Sequence, residues 1–227
     1  MRIQFQTNSF TPPPYAYAIE LEAAEAMDGL HVKFLLTYLD RDQLEEEEIL
    51  EEGFSLNDDL QWSGILPAVW SERLRKTEQK LTLTEKVELE EEENYWHVET
   101  GKENGYPEEE EELLAFLQEI QQAILEADQL EAPLHITVIR LDRDEKKEYH
   151  FEGSFVHQKY AYNGKTQAWE ELNHFLKDIY SGDFRPDQAL QKTPVKNGLF
   201  INLGDGLWYE LGKSYLIQPS LIQKYLN

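Results

Sequence analysis

Apolar and polar residues alternate through 15–22 (Tyr15-Ala-Tyr-Ala-Ile-Glu-Leu-Glu22) and again through 31–39 (His31-Val-Lys-Phe-Leu-Leu-Thr-Tyr-Leu39), with Met27-Asp-Gly29 between them. A period of two with a turn dipeptide in the middle predicts two antiparallel strands. A weaker strand is expected over 49–56. Pro67 then opens a short helix with Leu66, Val69, Trp70 and Leu74 on its apolar face. Residues 80–84 and 95–99 read as a further strand pair. Leu113, Leu114, Leu117, Ile120, Ile124 and Ala127 recur at helical spacing after Pro107, predicting an amphipathic helix over 107–127.

The pattern restarts after Pro133. Residues 134–141 and 148–155 predict a hairpin with Ile136 and Phe151 on one face and 142–145 as its turn. Thr166 stands where it would cap a helix carrying Ala168, Trp169, Leu172, Phe175, Leu176 and Ile179, and Gly182 ends it. Gly204-Asp-Gly206 between 199–203 and 207–211 is a second hairpin signature. Pro219 starts a last short helix.

The fold class read from this order is α+β: two similar halves of order β-β-α-β-β-α, with antiparallel sheets and helices packed on one face. Residues 1–130 form the N-terminal acidic half and 131–227 the C-terminal half of what is expected to be one unit. Leu39-Asp-Arg-Asp42 recurs as Leu141-Asp-Arg-Asp144, an offset of 102 residues, and Gly64 ahead of Trp70 recurs as Gly164 ahead of Trp169. An internal duplication is the organisation these matches suggest. The element order is similar to that of the acidic type III secretion chaperones, a likeness of order alone that no motif of that family accompanies.

Charge changes the picture more than composition does. The 227 residues hold 45 acids against 21 bases, a net charge of −24. Residues 1–113 carry 29 acids against nine bases, a net of −20. Such a field repels nucleic-acid phosphate and anionic membrane, so neither is expected as a partner. A basic protein is the partner it would attract, most strongly at low salt. The acid runs also have local explanations: Glu108 to Glu112 follow Pro107, where a helix dipole favours carboxylates, and the runs 45–48 and 90–93 read as solvated hairpin ends. Zero cysteines exclude disulfides, thiolate metal sites and cysteine nucleophiles. The first residues lack an apolar signal core and no stretch is long enough to span a bilayer, so a cytoplasmic protein is expected.

Candidate chemistry is sparse. Asp40, Asp42, Asp142 and Asp144 are the hard oxygen ligands a Mg²⁺ or Mn²⁺ site would use, should the two turns converge. The alternative is that Asp-rich tetrapeptides simply make turns. Gly212-Lys-Ser214 has the wrong spacing for a phosphate loop, and a bulky strand precedes it. No His-Glu-x-x-His or Gly-x-Ser-x-Gly occurs. His135 and His150 are expected to approach across their hairpin without a third ligand. Trp62 follows Asn57-Asp58-Asp59 in an expected loop, where an aromatic beside acids suits a partner anchor. The sequence reading is therefore a non-catalytic acidic binding protein, chaperone-, inhibitor- or immunity-like, with Trp62, Asp58 and Asp59 as candidate contacts and no cofactor. The alternative is a metal-dependent enzyme or sensor built on the paired turns. A homodimer through an edge strand is compatible with both.

Overall fold

In the computed structural model, which describes every residue except Val87, Asp144 and Asn227, the first strand is one the periodicity passes over. β1 (Arg2–Gln6) lies at the middle of the first sheet, hydrogen-bonded to β2 (Tyr17–Ala26) on one side and β6 (Tyr95–Glu99) on the other. β3 (Gly29–Tyr38) returns from β2 through the two-residue Met27-Asp28 turn, and β4 (Leu60–Leu66) pairs with β3 at the sheet edge. β5 (Leu83–Thr84) and β7 (Asn104–Pro107) complete the order β4-β3-β2-β1-β6-β7-β5, every neighbour antiparallel. The helices are α1 (Glu46–Glu51), α2 (Val69–Lys80) and α3 (Glu111–Ala127).

Strand alternation separates the faces of this sheet. Ile3, Phe5, Ile19, Leu21, Val32, Phe34, Trp96 and Val98 are buried on one face. Each such side chain contributes about 1.5–3 kcal/mol by leaving water. Trp70 of α2 and Phe116 of α3 pack ring against ring at 6.3 Å within this core. Arg2, Gln4, Glu20, Lys33, Gln61 and Ser63 stand on the opposite, open face.

The second sheet is built from β8 (Leu134–Asp142), β9 (Glu145–Ser154), β10 (Lys159–Tyr162), β11 (Lys165–Gln167), β13 (Gly198–Asn202) and β14 (Tyr209–Glu210), in the order β11-β10-β9-β8-β13-β14. β12 (Asp183–Phe184) and β15 (Tyr215–Leu216) form a separate ribbon, and α4 (Trp169–Ile179) and α5 (Pro219–Gln223) are its helices. Its core joins Ile136, Val138, Phe151, Phe175, Ile201 and Tyr215, with Phe151 and Phe175 stacked at 3.9 Å.

The chain thus divides into two units, residues 1–124 and 125–227, of α+β class. Four strands, not two, precede α2 in the first unit and α4 in the second, because β1, β4, β10 and β11 are short or carry weak alternation. The segment 49–56 is not a strand. Glu45 and Glu48 form a reciprocal cap, Glu46 to Glu48 fill the first turn, and α1 buries only Ile49. Pro107 closes β7 opposite Leu83 and is not the first helical residue. Thr166 lies in β11, and α4 starts after Ala168 without a side-chain cap. The Asp-Arg-Asp segments occupy non-equivalent places. One follows β3, whereas the other begins at the β8–β9 turn, so the 102-residue offset does not superpose equivalent strands. Among the described residues no helix is long and apolar enough to cross a membrane.

Candidate functional site

Asp58 and Asp59 lie in the loop that leads from α1 into β4. The Arg41 guanidinium stands 3.7 Å from the Tyr38 ring centre and 4.7 Å from that of Phe54. Its Nη1 donates to Asp58 Oδ2 at 2.9 Å and to the Ser55 carbonyl at 2.8 Å. Asp58 also accepts from the Ser55 amide and hydroxyl. Burial works to raise the Asp58 pKa, but the Ser55 and Arg41 hydrogen bonds outweigh it and hold the carboxyl below its ordinary value. Asp59 accepts the Tyr38 amide at 2.9 Å. Both carboxylates therefore organise their own loop.

Trp62 is not in that loop. It belongs to β4, opposite Phe34, and its half-buried ring leans over Gly64 so closely that a Cβ there would stand 2.4 Å from it.

Asp40 adopts a left-handed conformation (φ 57°) and accepts from the Gln43 amide side chain at 3.1 Å. Asp42 sits in the single 3₁₀ turn that follows. Asp142 closes β8 opposite Glu145, Arg143 is left-handed (φ 51°), and Asp144 lies outside the described residues. Among the described residues no group of three or more His, Asp or Glu side chains is placed to hold a metal ion. His135 and His150 do meet, with ring centres 6.0 Å apart and the Thr137 hydroxyl 3.4 Å from a nitrogen of each.

Two acidic runs that are separate in sequence meet at the β7 end of the first sheet. Asn94, which follows the run 90–93, donates from its side chain to Glu110 at 3.0 Å. The Tyr106 hydroxyl donates to Glu110 at 2.8 Å and lies 3.1 Å from the Asn94 carbonyl. Burial, and then the hydrogen bond to Glu110, push the Tyr106 pKa well above its ordinary value. From the other side, Asn8 and Ser9 donate to the carbonyls of Glu92 and Glu91 at 3.0 and 2.9 Å. The side chains of Glu90, Glu91, Glu92, Glu108, Glu109 and Glu111 remain exposed around this junction. Phe10 in the segment after β1, Leu89 just before the run 90–93 and Tyr95 at the start of β6 are exposed as well.

The open face of the first sheet is chemically different. Register places Glu99, Arg2, Glu22, Lys33 and Ser63 in one row across five strands. Arg2 and Lys33 lie 3.2 and 3.1 Å from Glu22. Alternating charges in neighbouring strands stabilise the pairing and cancel one another. The row crosses a shallow trough of about 390 Å³ that Gln4, Gln61 and His97 also line. Nothing in the linear sequence marks this row, because its members become neighbours only through strand order. No protein family, curated protein or solved structure matches this chain.

Proposed function

We propose that the chain is a cytoplasmic, non-catalytic binding protein, of the chaperone, inhibitor or immunity kind, whose acidic first unit engages a basic protein. The observation that carries this reading is the junction of the runs 90–93 and 108–112 through Asn94, Tyr106 and Glu110. Local structure needs carboxylates in the first turn of α3, but it does not need a second acidic loop tied against that turn. Among the described residues, seven of the nine bases of the first unit are engaged by six carboxylates, so the exposed runs keep their field. Exposed Phe10, Leu89 and Tyr95 beside that field suit an amphipathic basic segment. The common strand order of the two sheets supports, in addition, an origin by internal duplication in a different register from the Asp-Arg-Asp offset.

Co-purification of the tagged chain from its native lysate tests the reading. The expected result is a basic protein held at low salt, released at high salt, and no longer captured by the Glu91→Lys/Glu92→Lys/Glu109→Lys variant. Capture that neither salt nor charge reversal alters would overturn it.

A further inference from the structure

The two sheets end in four edge strands, and three of them are too short to template another chain. β5 and β14 have two residues each, and β11 has three including Lys165. Short edges and edge lysines are common protections against unwanted pairing. β4 has neither. Its seven residues, Leu60-Gln-Trp-Ser-Gly-Ile-Leu66, contain no charge and no proline, in a chain of net charge −24.

Hydrogen-bond parity shows what this edge offers. The two-residue turn makes Ala26 and Gly29 a bonded pair, so the odd-numbered residues of β3 bond β2 and the even-numbered ones bond β4. Leu60, Trp62, Gly64 and Leu66 are therefore committed to β3. The amide and carbonyl groups of Gln61, Ser63 and Ile65 point away from the sheet, and Ile65 exposes 48% of its surface there.

We infer that β4 pairs with β4 of a second copy, antiparallel about a twofold axis at Ser63, to extend the first sheet across two chains. The strand is self-complementary in that register. Ser63 faces its own copy and Gln61 faces Ile65, so all three outward residues exchange hydrogen bonds. Trp62 then faces Gly64 in the closer, non-bonded type of pair, with Cα atoms about 4.5 Å apart. Glycine is the residue that leaves room there: the Trp62 ring already occupies the space a Cβ on Gly64 would need. No charge of β4 is buried by the pairing, while the two chains repel through their net charge. Self-pairing therefore strengthens as salt screens that repulsion, the opposite of a basic partner's salt dependence.

The test is the mass of the full chain in solution, by sedimentation, at about 0.05 M and about 1 M sodium chloride. The expected result is a concentration-dependent species of twice the monomer mass, enriched at high salt. Ser63→Pro removes an outward donor and leaves the β3 ladder intact. Ser63→Lys keeps the donor but sets two like charges face to face on the axis. Both variants are expected to be monomeric with the circular dichroism of the parent, and either one suffices should the other fail to fold. A parent chain that stays monomeric at every salt and concentration overturns the inference, as does a dimer that both variants retain. A monomeric parent whose capture of another protein is abolished by Ser63→Pro also overturns it, and assigns the edge to an extended segment of that protein. Loss of capture by the charge-reversed variant described above leaves the dimer untouched, so the two readings fail separately.

Discussion

The Tyr106 hydroxyl donates to the Glu110 carboxylate at 2.8 Å, and through that contact a residue of β7 fixes the start of α3 against the loop that carries Glu90 to Glu93. Tyr106→Phe removes the donor and leaves the ring. The expected cost is about 1 kcal/mol of stability. Amides of residues 88–94 should exchange faster while those of β1 and β6 are unchanged, which hydrogen exchange resolved by residue would show.

Alkaline titration should report the buried phenols. Burial pushes Tyr160 and Tyr209 up to about 12, with the Asp205 hydrogen bond adding to the effect at Tyr209. A folded pKa above the unfolded one contributes stability that is full below the unfolded value near 10 and is lost as pH rises through the folded value. Phenolate absorbance of the native chain is therefore expected to lag that of the urea-unfolded chain between about pH 10 and pH 12. Coincident curves would contradict the burial of these rings.

Arg73 joins α2 to α3 through Glu112 and, at 2.8 Å, Glu119, with 13% and 9% of the Arg73 and Glu119 side chains exposed. Arg73→Ala removes the guanidinium from both carboxylates and should cost about 3 kcal/mol in urea unfolding. For Glu112, burial acts to raise the pKa, but the hydrogen bonds from Lys80 and Arg73 prevail and the value is lowered. A lowered folded pKa gives stability present above the unfolded carboxylate value and lost as pH falls through the folded one. Glu112→Gln should accordingly flatten the acid limb of the stability curve, measured between about pH 5 and pH 3.

Gly29 is the glycine the β2–β3 hairpin requires. Its φ is +143°, and a Cβ would lie 2.2 Å from the Leu66 carbonyl oxygen. Gly29→Ala must distort both the turn and the first β3–β4 bridge, at an expected cost of about 3 kcal/mol. Gly53, at φ +84° with no atom within 4 Å of a built Cβ, meets only the conformational penalty, so Gly53→Ala should cost about 1 kcal/mol. Thermal unfolding of the two variants measures the difference.

Asp58→Asn is expected to lose stability by loosening the Ser55 and Arg41 contacts, by about 1–2 kcal/mol. Because Asp58 is committed to its loop, salt-sensitive capture of a basic protein should survive the substitution, which the same co-purification would establish.

Much of the local structure was legible. The sequence puts Ile136 and Phe151 on one face of the β8–β9 hairpin, which leaves 142–145 as its turn, and the register pairs Ile136 with Phe151 and Asp142 with Glu145. Tyr95–Glu99 and the body of α3 followed from period and length. Two segments depart from the expectation. Ile49 and Leu50 among glutamates gave no period of either kind, and the capping pair Glu45 and Glu48 decided for a helix. Trp62 reads as a loop residue after Asn57 to Asp59, whereas it lies in β4 with its ring over Gly64.

The sequence by itself determined what depends on neighbours within a few residues: the periods of the longer strands and helices, the turns, the absence of cysteine chemistry and the net charge. The tertiary structure decided what depends on residues distant along the chain. The charge row from Glu99 to Ser63 requires five strands in one order, the meeting of two acidic runs requires β6, β7 and the start of α3 to pack, and the open edge of β4 exists because, among the described residues, no later strand returns to it. Local pattern chooses an element through its own backbone and one buried face. Which elements become neighbours is settled by the whole set of buried faces at once.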